Sequence, residues 1–373
     1  MKNKAGFFLF ILMLTAFILF VSCGKQKSEW KGAIEEADGI TVVRNPVEPL
    51  FGDEVLELEE ELVLGEKEGR EEYMFTRIMI DVDDDENIYV LDGAAANIRV
   101  FDKEGEYTRT IGKRGQGPGE FEGPRCIQIT PQNEIMVYDM RNRRISYFSL
   151  DGTFLRQNSA ATELAMLNLQ QDSEGNYVGY VVKREGGFEL TKFDSELRPL
   201  NIIFSKQVAR IKTFPLLSLQ LLFSLTKEDR LAWGYPEKYE FQVVGPEAET
   251  MVKILKDYKP IEIMNDDKES MMSERFGSRG VPDGFAVHCP ENYPPFRGLF
   301  VDEEGRMFLE TYEKCEGGGR YSDVFNSEGK YIAKVRLGID PVWLWWKKSK
   351  LYTIEKDEEG YMFVKRYRAT WKI

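Results

Sequence analysis

The sequence predicts an all-β chain folded as a six-bladed β-propeller, with four-stranded antiparallel blades and the last blade closed by an N-terminal strand. Three observations carry this reading. Asn87-Ile88-Tyr89-Val90-Leu91-Asp92 recurs at an offset of 47 residues as Glu134-Ile135-Met136-Val137-Tyr138-Asp139. The same offset matches Ile98 to Ile145, Phe101 to Phe148, Gly105 to Gly152 and, upstream, Gly65 to Gly112. A period of about 40–50 residues made of short alternating strands is that of a propeller blade. Second, a turn of one spacing returns along the chain, at Val82–Ile88, Ile129–Ile135 and Val301–Met307, with looser copies at Leu169–Tyr177, Leu225–Leu231 and Trp345–Leu351. Third, the C-terminal unit offers three strands, near 342–346, 351–356 and 361–368, and the missing outer strand is available where Leu56, Leu58, Leu62 and Leu64 flank an acidic segment. An N-terminal strand in that place ties the ring shut and removes an exposed edge.

The elements follow in chain order. Residues 1–22 read as a leader: Lys2 and Lys4 precede a charge-free apolar run from Phe7 to Val21, short for a membrane-spanning helix and suited to a secretory signal. The run ends in Phe20-Val21-Ser22-Cys23-Gly24, which resembles the lipobox of bacterial lipoproteins, with Phe20 where that pattern prefers Leu. The resemblance implies acylation of Cys23 and a lipid bilayer as partner. Gly24 stands where inner-membrane retention often has Asp, which points to the outer membrane. Residues 23–39 are expected to be a flexible tether and 40–373 the propeller.

Loss of the leader takes the formal net charge from −13 to −15. With no block of Lys or Arg standing out, nucleic acid is excluded as a partner. Beyond Cys23 there are Cys126, Cys289 and Cys315; the spacing leaves open a Cys289–Cys315 disulfide or two buried thiols. Asp-Gly and Glu-Gly pairs, such as Asp151-Gly152 and Glu328-Gly329, mark hairpin turns between β-rich runs. One region breaks the rhythm. The stretch from Leu231 to Met307 exceeds a blade, and the excess, about 256–296, is an insertion on a rigid scaffold, where function usually resides.

Ile98-Arg99-Val100-Phe101-Asp102-Lys103-Glu104-Gly105, followed by Gly112-Lys113-Arg114-Gly115-Gln116-Gly117-Pro118-Gly119-Glu120-Phe121, resembles an NHL-type repeat. The whole mature chain is similar to six-bladed β-propeller lipoproteins of Bacteroidetes- and Acidobacteria-like bacteria. The resemblance implies the fold and a cell-envelope address, and little about activity.

Chemistry-bearing motifs are sparse. The Gly112–Gly119 run lacks the Lys-Ser/Thr ending of a phosphate loop and reads as a linker between blades. Asp81, Asp83, Asp85 and Asp92 approximate calcium-loop spacing, but Glu86 replaces the required Gly and Asp92 the bidentate Glu, so an acidic solvent-exposed turn is expected. His288 is the only histidine, which excludes a three-His zinc site, and there is no Gly-x-Ser-x-Gly elbow. Trp343, Trp345, Trp346 and Trp233 are expected to pack between blades. Arg77, Arg125 and Arg297 each stand just before an innermost strand, at the mouth of the central channel, and together with His288 under the insertion form the candidate ligand site. Arg forks suit carboxylates. The expected function is therefore a lipid-anchored, non-catalytic recognition or scaffold protein for an unidentified protein, peptide or glycan. No cofactor is expected. The alternative is a calcium-dependent propeller hydrolase or lactonase.

Overall fold

The second strands of the repeats are apolar on both faces, and a strand so composed is stable only between two other sheets. In β5 (Ile88–Asp92) every residue is buried, and in β9 (Glu134–Asp139) all but the first. The outermost strands β11 (Phe154–Ser159) and β15 (Pro199–Lys206) are mostly exposed. The solution is a ring of radially stacked sheets. The structure, a computed structural model, describes residues 29–373 apart from 53, 160–164, 184–185, 209–212, 278–279, 283, 317, 338 and 340–341. The leader and Cys23 lie outside the described residues.

Blade 1 comprises β4 (Ile78–Val82), β5, β6 (Asn97–Phe101) and β7 (Tyr107–Ile111), and blade 2 comprises β8 (Pro124–Ile129), β9, β10 (Arg144–Ser149) and β11. Blade 3 holds β12 (Ala165–Gln171), β13 (Tyr177–Val182), β14 (Phe188–Phe193) and β15. Blade 4 holds β17 (Leu222–Leu225), β18 (Leu231–Gly234), β19 (Glu240–Val244) and β20 (Thr250–Lys256). Blade 5 is β22 (Gly298–Val301), β23 (Met307–Lys314), β24 (Arg320–Phe325) and β25 (Tyr331–Arg336). Blade 6 joins β26 (Trp343–Lys347), β27 (Lys350–Lys356) and β28 (Met362–Trp371) to β3 (Leu56–Leu64). The closing strand therefore pairs as its leucines predict, antiparallel to β28.

There is no single core. Six apolar clusters occupy the six blade interfaces: Ile78 and Ile80 meet Tyr352 and Ile354 between blades 6 and 1, and Tyr89 and Leu91 meet Ile135 and Val137 between blades 1 and 2. The tryptophans are part of this packing: Trp346 stacks on Phe308 at 4.8 Å and Trp233 lies 5.0 Å from Phe204.

Inner strands are also clasped edge to edge by side chains at equivalent repeat positions. Asp81 Oδ2 accepts the Ile129 N–H at 2.6 Å, Gln128 Oε1 that of Gln171 at 2.7 Å, and Gln170 Oε1 that of Leu225 at 2.8 Å. The turns after the inner strands repeat too. Asp83 Oδ1 accepts the N–H groups of Asp85 and Asn87, as Asp172 does for Glu174 and Asn176 and Asp302 for Glu304 and Arg306. Contrary to the solvent-exposed acidic turn expected, Asp81 and Asp83 are buried, because backbone N–H groups take their oxygens. At the hairpin between β24 and β25, Gly329 adopts φ +81°, and a Cβ there would stand 2.6 Å from Ile254 Cγ1, so only glycine fits.

Two features were not anticipated. The expected tether over 23–39 is interrupted by β1 (Ala33–Ala37), which hairpins onto β2 (Ile40–Asn45), and β2 pairs parallel with β20, widening blade 4 to six strands. The chain then passes blade 5, where Leu50 and Phe51 donate to the Tyr331 and Ile332 carbonyls, before entering blade 6 as β3. Residues 33–64 are thus a belt over the outer rim of three blades. Its buckle is Asn45, whose Oδ1 accepts from Tyr331 N (2.7 Å) and Trp30 Nε1 (3.1 Å) while Nδ2 donates to Gly329 O (2.9 Å). Asn45→Ala orphans these groups and is expected to cost about 1–3 kcal/mol, read as a lowered urea midpoint with accelerated amide exchange at Tyr331. An unchanged midpoint would rule out the buckle.

The insertion contains α1 (Asn265–Phe276), with no buried residue, and β21 (Ala286–His288), which pairs parallel with β16 (Thr213–Pro215) from the connection between blades 3 and 4. Among the described residues no helix is long and apolar enough to cross a membrane.

Candidate anion-binding site

One end of a propeller carries the connections between blades and the loops between second and third strands, and here the inserted segment and the candidate arginines share that end. The insertion and β16 stand over blades 3 to 5. Over blades 1 and 2 the face is formed by three loops, 93–96, 112–123 and 140–143.

Two buried aspartates at the repeat offset shape those loops. Asp92 Oδ1 accepts the N–H groups of Ala94 and Ala95, and its Oδ2 that of Thr76. Asp139, fully buried, accepts from Glu122 N (2.7 Å), Gly123 N (2.9 Å), Arg141 N and Asn142 N. A buried arginine does the same with the opposite polarity. Arg144 donates to the carbonyls of Gln116 (2.9 Å), Gly117 (2.6 Å) and Glu120 (2.7 Å), folding the glycine-rich linker against blade 2. Each loop is held by a charge whose hydrogen bonds are made to backbone, so the loops are pre-organised.

On this frame stand exposed arginines. Arg77 donates through Nη2 to Gly93 O at 2.7 Å, and Arg114 through Nη2 to the next carbonyl, that of Ala94. A Cβ at Gly93 would lie 3.0 Å from Arg77 Nε and 3.0 Å from Pro124 O, so the absence of a side chain lets the guanidinium settle beside the start of β8. Arg125 follows directly. It lies at a register shift between Pro124 and Cys126, both buried, and the bulge turns its side chain outward. The stem of Arg141 packs on Gly123, where a Cβ would meet Arg141 Cγ at 2.7 Å. Among the described residues none of these four arginines is paired with a carboxylate.

The predicted site residues therefore divide. Arg77 and Arg125 are brought together, each beside the Gly93–Pro124 approach. Arg297, on blade 5, faces Glu310 at 3.5 Å and the Tyr312 ring, in a group with the stacked Tyr293 (4.6 Å between rings). Burial and the neighbouring Asp267 push Tyr293 up to about 12. His288 is exposed in β21, and its carbonyl is bonded by Leu216 N. Arg114 and Arg141 were missed. In the short segment Arg141-Asn142-Arg143-Arg144, only the loop geometry separates the inward Arg144 from the outward Arg141 and Arg143.

The calcium-like spacing does not converge: Asp81 and Asp83 lie at one end of blade 1 and Asp92 at the other, separated by the length of β5. Among the described residues no group of three or more His, Cys, Asp or Glu is arranged to hold a metal ion. Among the described residues Cys126, Cys289 and Cys315 form no disulfide, and burial pushes Cys126 up to about 11. A recess with room for about one water molecule lies between blades 3 and 4, lined by Asp172, Lys192, Leu225 and Pro246. It is below the size of ordinary ligand pockets.

A family described as a 6-bladed beta-propeller (DUF5128) matches residues 68–215, which span blades 1 to 3. Among solved structures, a protein from Bacteroides fragilis described as exported aligns with TM-score 0.53 at 15% identity, over 89% of this chain and 100% of its own. A member of the DUF4221 family from Bacteroides vulgatus aligns with TM-score 0.55 at 12% identity, over 85% and 99% respectively. Both likenesses are of fold. No curated protein matches the sequence.

Proposed function

We propose that this chain is an exported, envelope-anchored binding protein that uses the open face of blades 1 and 2 to hold an anionic group of its ligand. The observation that carries the reading is the pair Arg77 and Arg125, both exposed, the first bonded to the Gly93 carbonyl and the second turned outward by a bulge, neither in an ion pair among the described residues, on a chain of net charge −13. In so acidic a protein, guanidinium groups left without carboxylates are a poor choice for stability and a good one for recognition. The loops are rigid before any ligand arrives, which lowers the ordering cost of binding. Export is supported by the leader-like residues 1–22 and by the description of the Bacteroides fragilis protein of like fold. The lipobox resemblance at Cys23 supports a lipid anchor.

The test is a thermal-shift titration with galacturonate as probe, since it carries one carboxylate. A ligand at about 100 times its dissociation constant adds about 2.7 kcal/mol. The expected result is a clear rise in melting temperature that disappears in the Arg77→Ala/Arg125→Ala double variant. A rise that persists in the double variant places the anion elsewhere and overturns the reading.

A further inference from the structure

We infer that Arg114 and Arg141 join Arg77 and Arg125 in one cradle, whose ligand is an acidic oligosaccharide carrying two or more carboxylate or sulfate groups. The inference rests on the reading of this face as an anion site and gives it a ligand class.

The cradle is defined by backbone. Arg77 and Arg114 are bonded to consecutive carbonyls, Gly93 and Ala94, so two guanidinium groups are anchored by one short loop. Arg125 and Arg141 stand at the neighbouring one, Arg125 turned outward by the bulge after Pro124 and Arg141 packed over Gly123. The Pro124 carbonyl and Gly93 approach each other, which joins the two pairs. A guanidinium carries five N–H donors, and those not spent on the loop carbonyls remain to meet a ligand. Among the described residues none of the four cations forms an ion pair with a carboxylate, and the oxygens of the nearby Asp92 and Asp139 are taken up by loop N–H groups, so the guanidinium groups keep charge for a ligand. A ligand with a single charge meets only part of that charge, and one with several charges at intervals meets more of it.

The surroundings favour a glycan over other polyanions. From Arg77 to Thr153 no large apolar side chain is exposed. Acidic peptides and single-stranded nucleic acids take much of their affinity from aromatic or aliphatic anchors. An acidic sugar is held through its charges and hydroxyls, which is what these loops offer. The acidic body around the patch repels charges placed beyond it over about a Debye length, ~8 Å at physiological salt, so a short charged segment is recognised.

The experiment is calorimetric titration of the purified protein with galacturonate, tetragalacturonate, a sulfated tetrasaccharide and tetraglutamate. Linked charges should make the tetragalacturonate bind at least about tenfold tighter than the monomer. Arg114→Gln/Arg141→Gln should remove that increment, bringing tetragalacturonate down to the affinity of the monomer. The glutamine variants keep a donor for the loop carbonyls, and the alanine variants, checked for an unchanged melt, separate charge from packing. The carboxylated and sulfated sugars distinguish the two sources of negative charge, and tight binding of either supports the inference. Equal affinity for monomer and tetramer, an unaltered increment in the Arg114/Arg141 variants, or no binding of any sugar overturns it. Tetraglutamate binding as tightly as the sugars makes the ligand an acidic peptide and also overturns it. Should the Arg114/Arg141 variants change nothing while Arg77→Ala/Arg125→Ala abolishes binding, the anion site stands and only the four-arginine cradle fails.

Discussion

Asp323→Ala is expected to destabilise the protein by about 3–5 kcal/mol. Asp323, on β24, sits at the centre of a buried polar group between blades 4 and 5. Its Oδ1 accepts from Tyr331 OH at 2.6 Å, its Oδ2 accepts from Tyr239 OH, and Lys256 Nζ lies 3.2 Å from the same carboxylate. The Lys256 and Asp323 side chains are only 6% and 4% exposed, so neither can find water in place of the other. The ammonium also rests 4.8 Å from the Tyr239 ring centroid and 4.6 Å from that of Tyr331, contacts that hold a cation but do not neutralise it. Removing the carboxylate leaves an unpaired buried charge. Tyr331→Phe, which keeps the ion pair, is expected to cost only about 1–2 kcal/mol. Urea unfolding of both variants checks this. A loss below about 1 kcal/mol for Asp323→Ala would mean the pair behaves as though exposed.

The second large effect is a dependence of stability on pH that runs through Asp81. Burial raises this carboxyl from 3.8 to about 7, against the opposing pull of the Ile129 and Val82 N–H groups and Lys347, with Asp83 pushing it up further. A raised carboxyl binds its proton more tightly when folded than when unfolded. Its contribution to stability is therefore fullest near pH 4 and below, falls as pH rises toward 7, and is constant above that. The difference between native protein and Asp81→Asn should shrink by up to about 4 kcal/mol from pH 4 to pH 8. Chemical unfolding at both pH values, with the variant as reference, cancels the other titrating groups. A flat difference would mean that the carboxyl titrates as in a peptide.

Much of the architecture was readable because a propeller repeats its packing. The offset between Val82 and Ile129 places equivalent turns at equivalent ends, and the leucines of 56–64 carry the pattern of an outer strand that lacks a local partner. What escaped did so for physical reasons. β1 is five residues with two glutamates, and the anchor of its hairpin, Asn45, meets Leu255 at 210 residues of separation. No local pattern encodes such a pairing. α1 carries only Met271, Met272 and Phe276 as apolar residues, gathered in its second half, so it has no apolar stripe to give helical period away. At the candidate site, Arg77 and Arg125 were visible from their place ahead of the inner strands. Arg114 and Arg141 reach the same spot only because Asp92, Asp139 and Arg144 fold three loops together. Arg297 has the same position in its repeat as Arg125, yet its neighbour Glu310 comes from the adjacent strand. Repeat position told where a residue stands, and not whom it meets.

The belt along the rim sets an order in time. Residues 33–64 are made before any blade, yet their partners are β20, β25 and β28, the last of which ends at Trp371. Early in synthesis the belt has nothing to pair with, and the ring stays open until the final strands emerge. Contacts between such distant parts of a chain form slowly. A ring that cannot close before β28 is made remains threadable until then. Under the export proposed above, delay of that kind serves as a safeguard.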